Sequence, residues 1–449
     1  MDQAPTTAPA PPTFGEALRF WLKLGFISFG GPAGQIAIMH TELVERRRWI
    51  SERRFLHALN YCMVLPGPEA QQLATYIGWL MHRSVGGIAA GALFVLPSLL
   101  ILVALSWVYM AYGQVSVVAG VFYGLKPAVT ALVLHAAHRI SGRALKNRWH
   151  WGIAIAAFVA IFAFDLPFPL IVAVAALIGY AGGRWAPQYF SGGASHGAAK
   201  AGHGPAVIDD DTPTPAHARY RNSALARVLA IGLGLWVLLM GALAASDGLA
   251  GTLTRMGWFF TKAALLTFGG AYAVLPYVFQ GAVGEHHWLT GAQMIDGLAL
   301  GETTPGPLIM VVAFVGFVGA WTKQVFGPEA LALAGTAAAC VVTFVTFLPS
   351  FVFILAGGPL VESTHGNLKV TAPLAGVTAA VVGVIVNLTL FFAYHVLWPQ
   401  GFGGRFDAVS AVIAVAAGVA LFRFKVGVLP LLGACAAAGL VLRLLGMAG

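Results

Sequence analysis

Lys23 and Lys262 stand 239 residues apart, each inside an apolar segment. A lysine at membrane depth is costly and marks a functional position by default, although its stem also lets it snorkel to the headgroups. Each lies six residues before a Phe-Gly-Gly run, Phe29-Gly30-Gly31 or Phe268-Gly269-Gly270. At the same offset of 239, Pro66-Gly67-Pro68 returns as Pro305-Gly306-Pro307, and Phe20, Trp49 and Leu59 return as Phe259, Trp288 and Leu298. Gly-Gly and Pro-Gly-Pro interrupt helices. A helix that restarts after such a break presents unpaired N–H groups and about half a positive charge. Glycine lets a ligand approach the backbone, and proline fits the first helical turn, where its missing N–H costs nothing. The chemistry these spacings suit is the cradling of a small anion.

The candidate substrate-binding residues are therefore Lys23, Ser28, Gly30, Gly31, Pro66, Gly67, Pro68 and Gln71, with Lys262, Thr267, Gly269, Gly270, Thr304, Pro305, Gly306 and Pro307 in the second half. The hydroxyls and amides, with Gln72 and Thr303, can donate hydrogen bonds to oxyanion oxygens. Helices are expected to restart near Ala33, Glu69, Ala271 and Leu308. If those four termini converged they would offer about two positive charges, which suits a dianion. Glu69 and Glu302 flank the two Pro-Gly-Pro breaks on opposite sides and are the candidate proton carriers. Glu69 also reads as a helix cap. A lone Gly-Gly would read as a close-packing device; its in-register recurrence beside Pro-Gly-Pro favours a site. Lys126, His135, His138, Asp165 and Asn387 read as structural. Asp296, which matches His57, is the strongest of the lone polar groups, because it shares a broken segment with Glu302.

The elements that hold these residues must be membrane helices. Hydrophobic residues make up 58% of the 449 and charged ones 10%, against about 25% charged in a soluble protein. The expected fold is an all-α polytopic membrane protein of two inverted structural repeats, with broken or re-entrant helices and about 9–13 spans. The strand alternation of a porin is absent from the sequence. Residues 1–13 read as a disordered tail, 14–185 as the first repeat and 186–222 as a flexible linker rich in Gly, Ala, Ser and His. Residues 223–246 read as a connecting transmembrane helix without a counterpart, and 247–449 as the second repeat. Beyond the broken segments the repeat continues: Leu96-Pro97-Ser98 matches Leu348-Pro349-Ser350, and Val129-Thr130-Ala131 matches Val377-Thr378-Ala379. Cys62, Cys340 and Cys435 are scattered in apolar stretches and read as packing.

The net charge of +9 raises nucleic acid as a partner, but the basic residues flank helices, as cytoplasmic loops require. Arg46-Arg47-Arg48 and Arg53-Arg54 flank Trp49, whereas Glu285-His286-His287 precede Trp288. The positive-inside rule places those two loops on opposite faces. Arg139, Arg143, Lys146 and Arg148 form a second inside cluster. The arrangement that satisfies every cluster has the N-terminus inside, each broken segment returning as a re-entrant hairpin, and the C-terminus outside; if each broken segment crosses instead, there are thirteen spans with the same ends and with Arg46–Arg48 outside.

Phe26-Ile27-Ser28-Phe29-Gly30-Gly31-Pro32, Leu65-Pro66-Gly67-Pro68-Glu69-Ala70-Gln71, and Thr267-Phe268-Gly269-Gly270 through Thr304-Pro305-Gly306-Pro307 resemble the signature motifs of the chromate ion transporter family, long-chain type. The resemblance spans about residues 14–446. It implies a carrier of the bacterial inner membrane, not an enzyme, that exports chromate from the cytoplasm and confers chromate resistance, with sulfate as a competitor and protons as the coupling ion. No cofactor is implied. The partners expected are the anion, protons and membrane lipid, with a homodimer as the assembly if the chain oligomerises and with no nucleic acid. The residues themselves argue only for a small anion; a carrier for sulfate or another oxyanion, or an anion channel, fits them as well.

Overall fold

The computed structural model describes residues 8–29, 31–190, 204–268, 270–364 and 371–446. The predicted positions Gly30 and Gly269, tail residues 1–7 and linker residues 191–203 lie outside that set. The described residues fold into α1 (Phe14–Ile27), α2 (Gly31–His40), α3 (Glu52–Val64), α4 (Glu69–Tyr112), α5 (Ser116–Ala144), α6 (Arg148–Phe164), α7 (Phe168–Trp185), the single turn α8 (Pro187–Phe190) and α9 (Asn222–Asp247). Then follow α10 (Thr252–Leu265), α11 (Ala271–Phe279), α12 (Gly291–Thr303), α13 (Val311–Thr322), α14 (Leu331–Thr364), α15 (Thr371–Leu397), α16 (Ala408–Phe422) and α17 (Val428–Leu444). Among the described residues six helices are long and apolar enough to cross a bilayer, and α6, α13, α16 and α17 are shorter apolar helices. The chain is an all-α, multi-pass membrane protein.

The order of elements runs twice, and so do its irregularities. A π-turn follows α2 at Thr41–Arg46 and α11 at Gln280–Glu285. Two residues past each stands a left-handed non-glycine residue, Arg48 at φ 50° and His287 at φ 49°. The amides of Trp49 and Trp288 then fold back onto the carbonyls of Leu43 and Ala282, both at 2.8 Å. α4 is broken at His82–Arg83, with Arg83 at φ 58°, and Gln324, two residues past the end of α13, has φ 50°. The Phe–Trp identities have a physical purpose. Phe20 packs edge-on to Trp49 at 5.3 Å, and Phe259 to Trp288 at 5.5 Å, so in each half the pair ties the first helix to the end of the loop that follows the second. Arg47 caps the first of these pairs with its guanidinium over both rings.

In the first half, both ends of each broken pair lie at one end of the molecule. Pro12, just before α1, accepts from His82 at 3.1 Å, and His217 reaches the Trp79 carbonyl at 3.0 Å. Arg48 and Arg54 bond the carbonyls of Pro205 and Thr212 in the same region. The arms α1–α2 and α3–α4 therefore enter and return like hairpins, with their breaks in the interior. α9 is peripheral: only Gly232 and Leu243 are buried along it.

The stretch 186–222, expected to be flexible, is docked in its second part. Ile208 exchanges backbone bonds with Trp49 and Ser51, Asp210 accepts from Ser51 Oγ, and Ala218 is fully buried. Glu362 accepts from both Arg54 at 3.0 Å and Tyr76 at 2.5 Å, which joins this end of α14 to α3 and α4. Gly and Ser content alone does not reveal such docking, because the anchors are backbone groups and a few single side chains.

Candidate functional site

The four breaks meet at the centre and interlock between halves. The Gly306 amide donates to the Ser28 carbonyl at 2.8 Å, and the Gly67 amide donates to the Thr267 carbonyl at 2.7 Å. Each Phe-Gly-Gly break thus holds the Pro-Gly-Pro break of the other half. Both glycines need left-handed backbone, φ 127° at Gly67 and φ 103° at Gly306. A Cβ on Gly67 would strike Ser350 Oγ, and one on Gly306 would strike the Ser98 Cβ at 2.8 Å. The repeated Leu-Pro-Ser motifs are explained in the same way: each serine packs against the other half's Pro-Gly-Pro.

Beside this centre lies a cavity of about 610 Å³. Pro32 and Ala33 at the start of α2, Glu69 at the start of α4, and Gly270 and Ala271 at the start of α11 all line it. Three of the four restarting helices therefore share one space; Leu308 is not among the lining residues. Arg139 and Arg143 of α5 face the same space, one helical turn apart on one side of the helix. Neither has an ion-pair partner among the described residues. His40, Leu56, Leu59, Leu374 and Thr378 complete much of the wall, and His40–Thr41 and Arg143–Ala144 extend the cavity toward the arginine-rich end. His40 is held by Glu52 at 2.5 Å and Glu45 at 3.2 Å.

The predicted residues divide into three groups. Gly31, Gly67, Gly270 and Gly306 form the breaks, and Pro66, Pro68, Pro305 and Pro307 frame them. Ser28, Gln71, Thr267 and Thr304 are buried. The Thr267, Thr303 and Thr304 hydroxyls are already spent on carbonyls one turn back, at Ala263, Leu300 and Gly301. Ser28 Oγ and the side-chain oxygens of Gln35, Gln71 and Gln72 are buried without a hydrogen-bond partner among the described residues, which leaves a polar centre in the first half. Gln35 spans both halves, donating to Ser28 at 3.2 Å and to Gly306 at 2.6 Å. Lys23 and Lys262 are exposed on the outer faces of α1 and α10 and do not line the cavity.

The carboxylates are better placed than the lysines. Glu69 lines the cavity, and buried Glu302 accepts a hydrogen bond from the hydroxyl of Tyr272, itself a lining residue. The Arg143 charge acts on Glu69, and the Arg139 charge on Glu302 and Tyr272. Arg139, Arg143, Gln35 and Tyr272 are the residues that sequence reasoning did not select. The arginines read as headgroup flanks; their spacing of four on one helix face was the available signal.

The chromate transporter family model matches residues 15–180 and 254–440, one stretch in each half. A chromate transport protein of Cupriavidus metallidurans is 30% identical over 417 residues, covering 92% of this chain and 89% of its own length. One from Pseudomonas aeruginosa is 34% identical over 403 residues, covering 87% and 84%. A probable chromate transport protein of Synechococcus elongatus is 29% identical over 374 residues, covering 83% and 82%. No solved structure matches the chain. Duplicated Phe-Gly-Gly and Pro-Gly-Pro breaks, membrane helices throughout and matches in both halves agree: the chain belongs to the chromate transporter family, whose members are transporters and not enzymes.

Proposed function

We propose that the protein is an alternating-access exporter of chromate in the bacterial inner membrane, made of two inverted repeats over residues 14–185 and 247–449. The observation that carries this reading is the cavity at the breaks, where two unpaired arginines and three helix N-termini face one space. A tetrahedral dianion satisfies those donors and balances their charge. Arg139 and Arg143 supply the cations. The α2, α4 and α11 termini supply N–H groups, and the Ser28 hydroxyl at the centre is a further donor. Glu69 and the Tyr272–Glu302 pair are the proton relay. Lys23 and Lys262 act as headgroup anchors on the outside of the bundle.

Orientation follows from charge. The cavity mouth shares its end with Arg46–Arg48 and Arg148, so it opens to the cytoplasm, with the N-terminus inside and the C-terminus outside. Nine helices then span (α4 to α7, α9, and α14 to α17), and the broken pairs are re-entrant. Export is the direction voltage favours. Moving two negative charges out across 100 mV, inside negative, releases roughly 4.6 kcal/mol, and proton entry adds to it.

Equilibrium binding of radiolabelled chromate to purified protein tests the site. Binding should be saturable, displaced by sulfate, and weakened about tenfold or more in Arg139→Gln/Arg143→Gln, since a hydrogen bond to a charged group contributes about 1.5–3 kcal/mol. Unchanged affinity in that variant would remove the cavity from the reading. A carrier with sulfate as its own substrate is the second reading, and sulfate binding tighter than chromate would favour it.

A further inference from the structure

The repeat lets each contact at one end of the molecule be compared with its counterpart at the other. At the end away from the cavity, α12 packs on α5 and α11 packs on α15. The first contact is an ion pair, Lys126 Nζ to Asp296 Oδ2 at 3.3 Å, with Tyr109 donating to the same carboxylate oxygen at 2.9 Å. The second is aromatic: Phe391 lies on Phe279 with ring centres 4.2 Å apart, and against Gly291. The offset of 239 carries Asp296 to His57 and Phe279 to His40. The Val-Thr-Ala match carries Lys126 to Leu374 and Phe391 to Arg143. So the counterparts of the two contacts are His57–Leu374, between α3 and α15, and His40–Arg143, between α2 and α5. Both counterpart helix pairs are parted by the cavity, whose walls include His40, Arg143 and Leu374. The same two kinds of helix contact are closed at one end and open at the other.

We propose that Lys126–Asp296 and Phe279–Phe391 form the outer gate, and that His57–Leu374 and His40–Arg143 are the inner gate in the state not seen here. The inference rests on the alternating-access reading above and names its moving contacts. Arg143 then has two tasks. It holds the anion while the inner side is open and meets α2 when it closes, so closure and anion release are coupled at one side chain. The outer gate has no cation at Phe391, the counterpart of Arg143; its cation, Lys126, is paired with Asp296. Asp296 keeps one carboxylate oxygen without a hydrogen-bond partner among the described residues, so its pairing with Lys126 is the contact to disturb.

Labelling tests the proposal in the full-length protein after Cys62, Cys340 and Cys435 are replaced by serine or alanine. Single cysteines are placed at Leu59, a cavity wall residue, and at Leu298, its buried counterpart, and are probed with a membrane-impermeant maleimide from each face. Asp296→Asn and, separately, Phe391→Ala should raise outside labelling at L298C and lower inside labelling at L59C by at least about threefold, a shift within reach of breaking a buried pair. The exchange Lys126→Asp/Asp296→Lys should return both sites to the parent pattern, which a merely unfolded variant would not do. The gate is overturned if neither variant changes the labelling, or if both sites gain labelling together, as in a pore. The labelling is read without chromate. An unmodified protein that neither binds nor moves chromate would therefore overturn the proposed substrate while leaving the gate standing.

Discussion

The residues that face the cavity were only partly visible in the sequence. Lys23 and Lys262 drew attention because they repeat, yet they lie on exposed helix faces, where a four-carbon stem can reach the headgroups. Arg139 and Arg143 do not repeat; their counterparts in α15 are Asn387 and Phe391, so a search for duplicated cations passes over them. Lys23→Gln/Lys262→Gln should change chromate affinity less than about twofold, as expected of exposed charges, and equilibrium binding checks this. Glu302 is buried against Tyr272, within the field of Arg139. Glu302→Gln keeps the shape and removes the ionisable group. It should abolish the acceleration of chromate flux by an imposed proton gradient while voltage-driven flux persists. Retained proton acceleration in the variant would take Glu302 out of the relay.

At the scale of elements, every break was legible, because Gly-Gly and Pro-Gly-Pro interrupt apolar helices wherever they fall. Their pairing was not. The bonds from Gly306 to Ser28 and from Gly67 to Thr267 join segments of different halves, and no local pattern encodes that choice. Gly67→Ala meets both a left-handed φ and Ser350, so it should destabilise the fold by about 1–3 kcal/mol. Gly15→Ala, in the first turns of α1 with nothing within 4 Å, should be neutral or slightly stabilising. Thermal unfolding in detergent compares the two; equal effects would mean the interlocked centre does not constrain Gly67. The docked stretch after residue 204 was hidden for a related reason. Its hold on α3 runs through Arg54, whose guanidinium also reaches the nearly buried Glu362 at the end of α14. Glu362→Gln should cost about 3–5 kcal/mol, because it leaves Arg54 without its buried counter-charge. The same unfolding assay reads that loss.

For the whole molecule, the duplicated order of elements and the arginine asymmetry of equivalent loops support inversion, and an inverted pair would set the proposed site between the two proposed gates. Cysteines beside Arg47 and His286 should react with impermeant reagents from opposite faces; reaction from one face would rule the inversion out. The central claim is carriage of a divalent oxyanion from the cytoplasmic side, and flux measures it most directly. Purified protein in liposomes, with the cytoplasmic face on the chromate-loaded, electrically negative side, should release chromate in a saturable manner. The rate should rise with the imposed voltage, and sulfate should slow it. Absence of chromate release at every voltage and proton gradient, from protein that is folded and correctly inserted, would contradict the account.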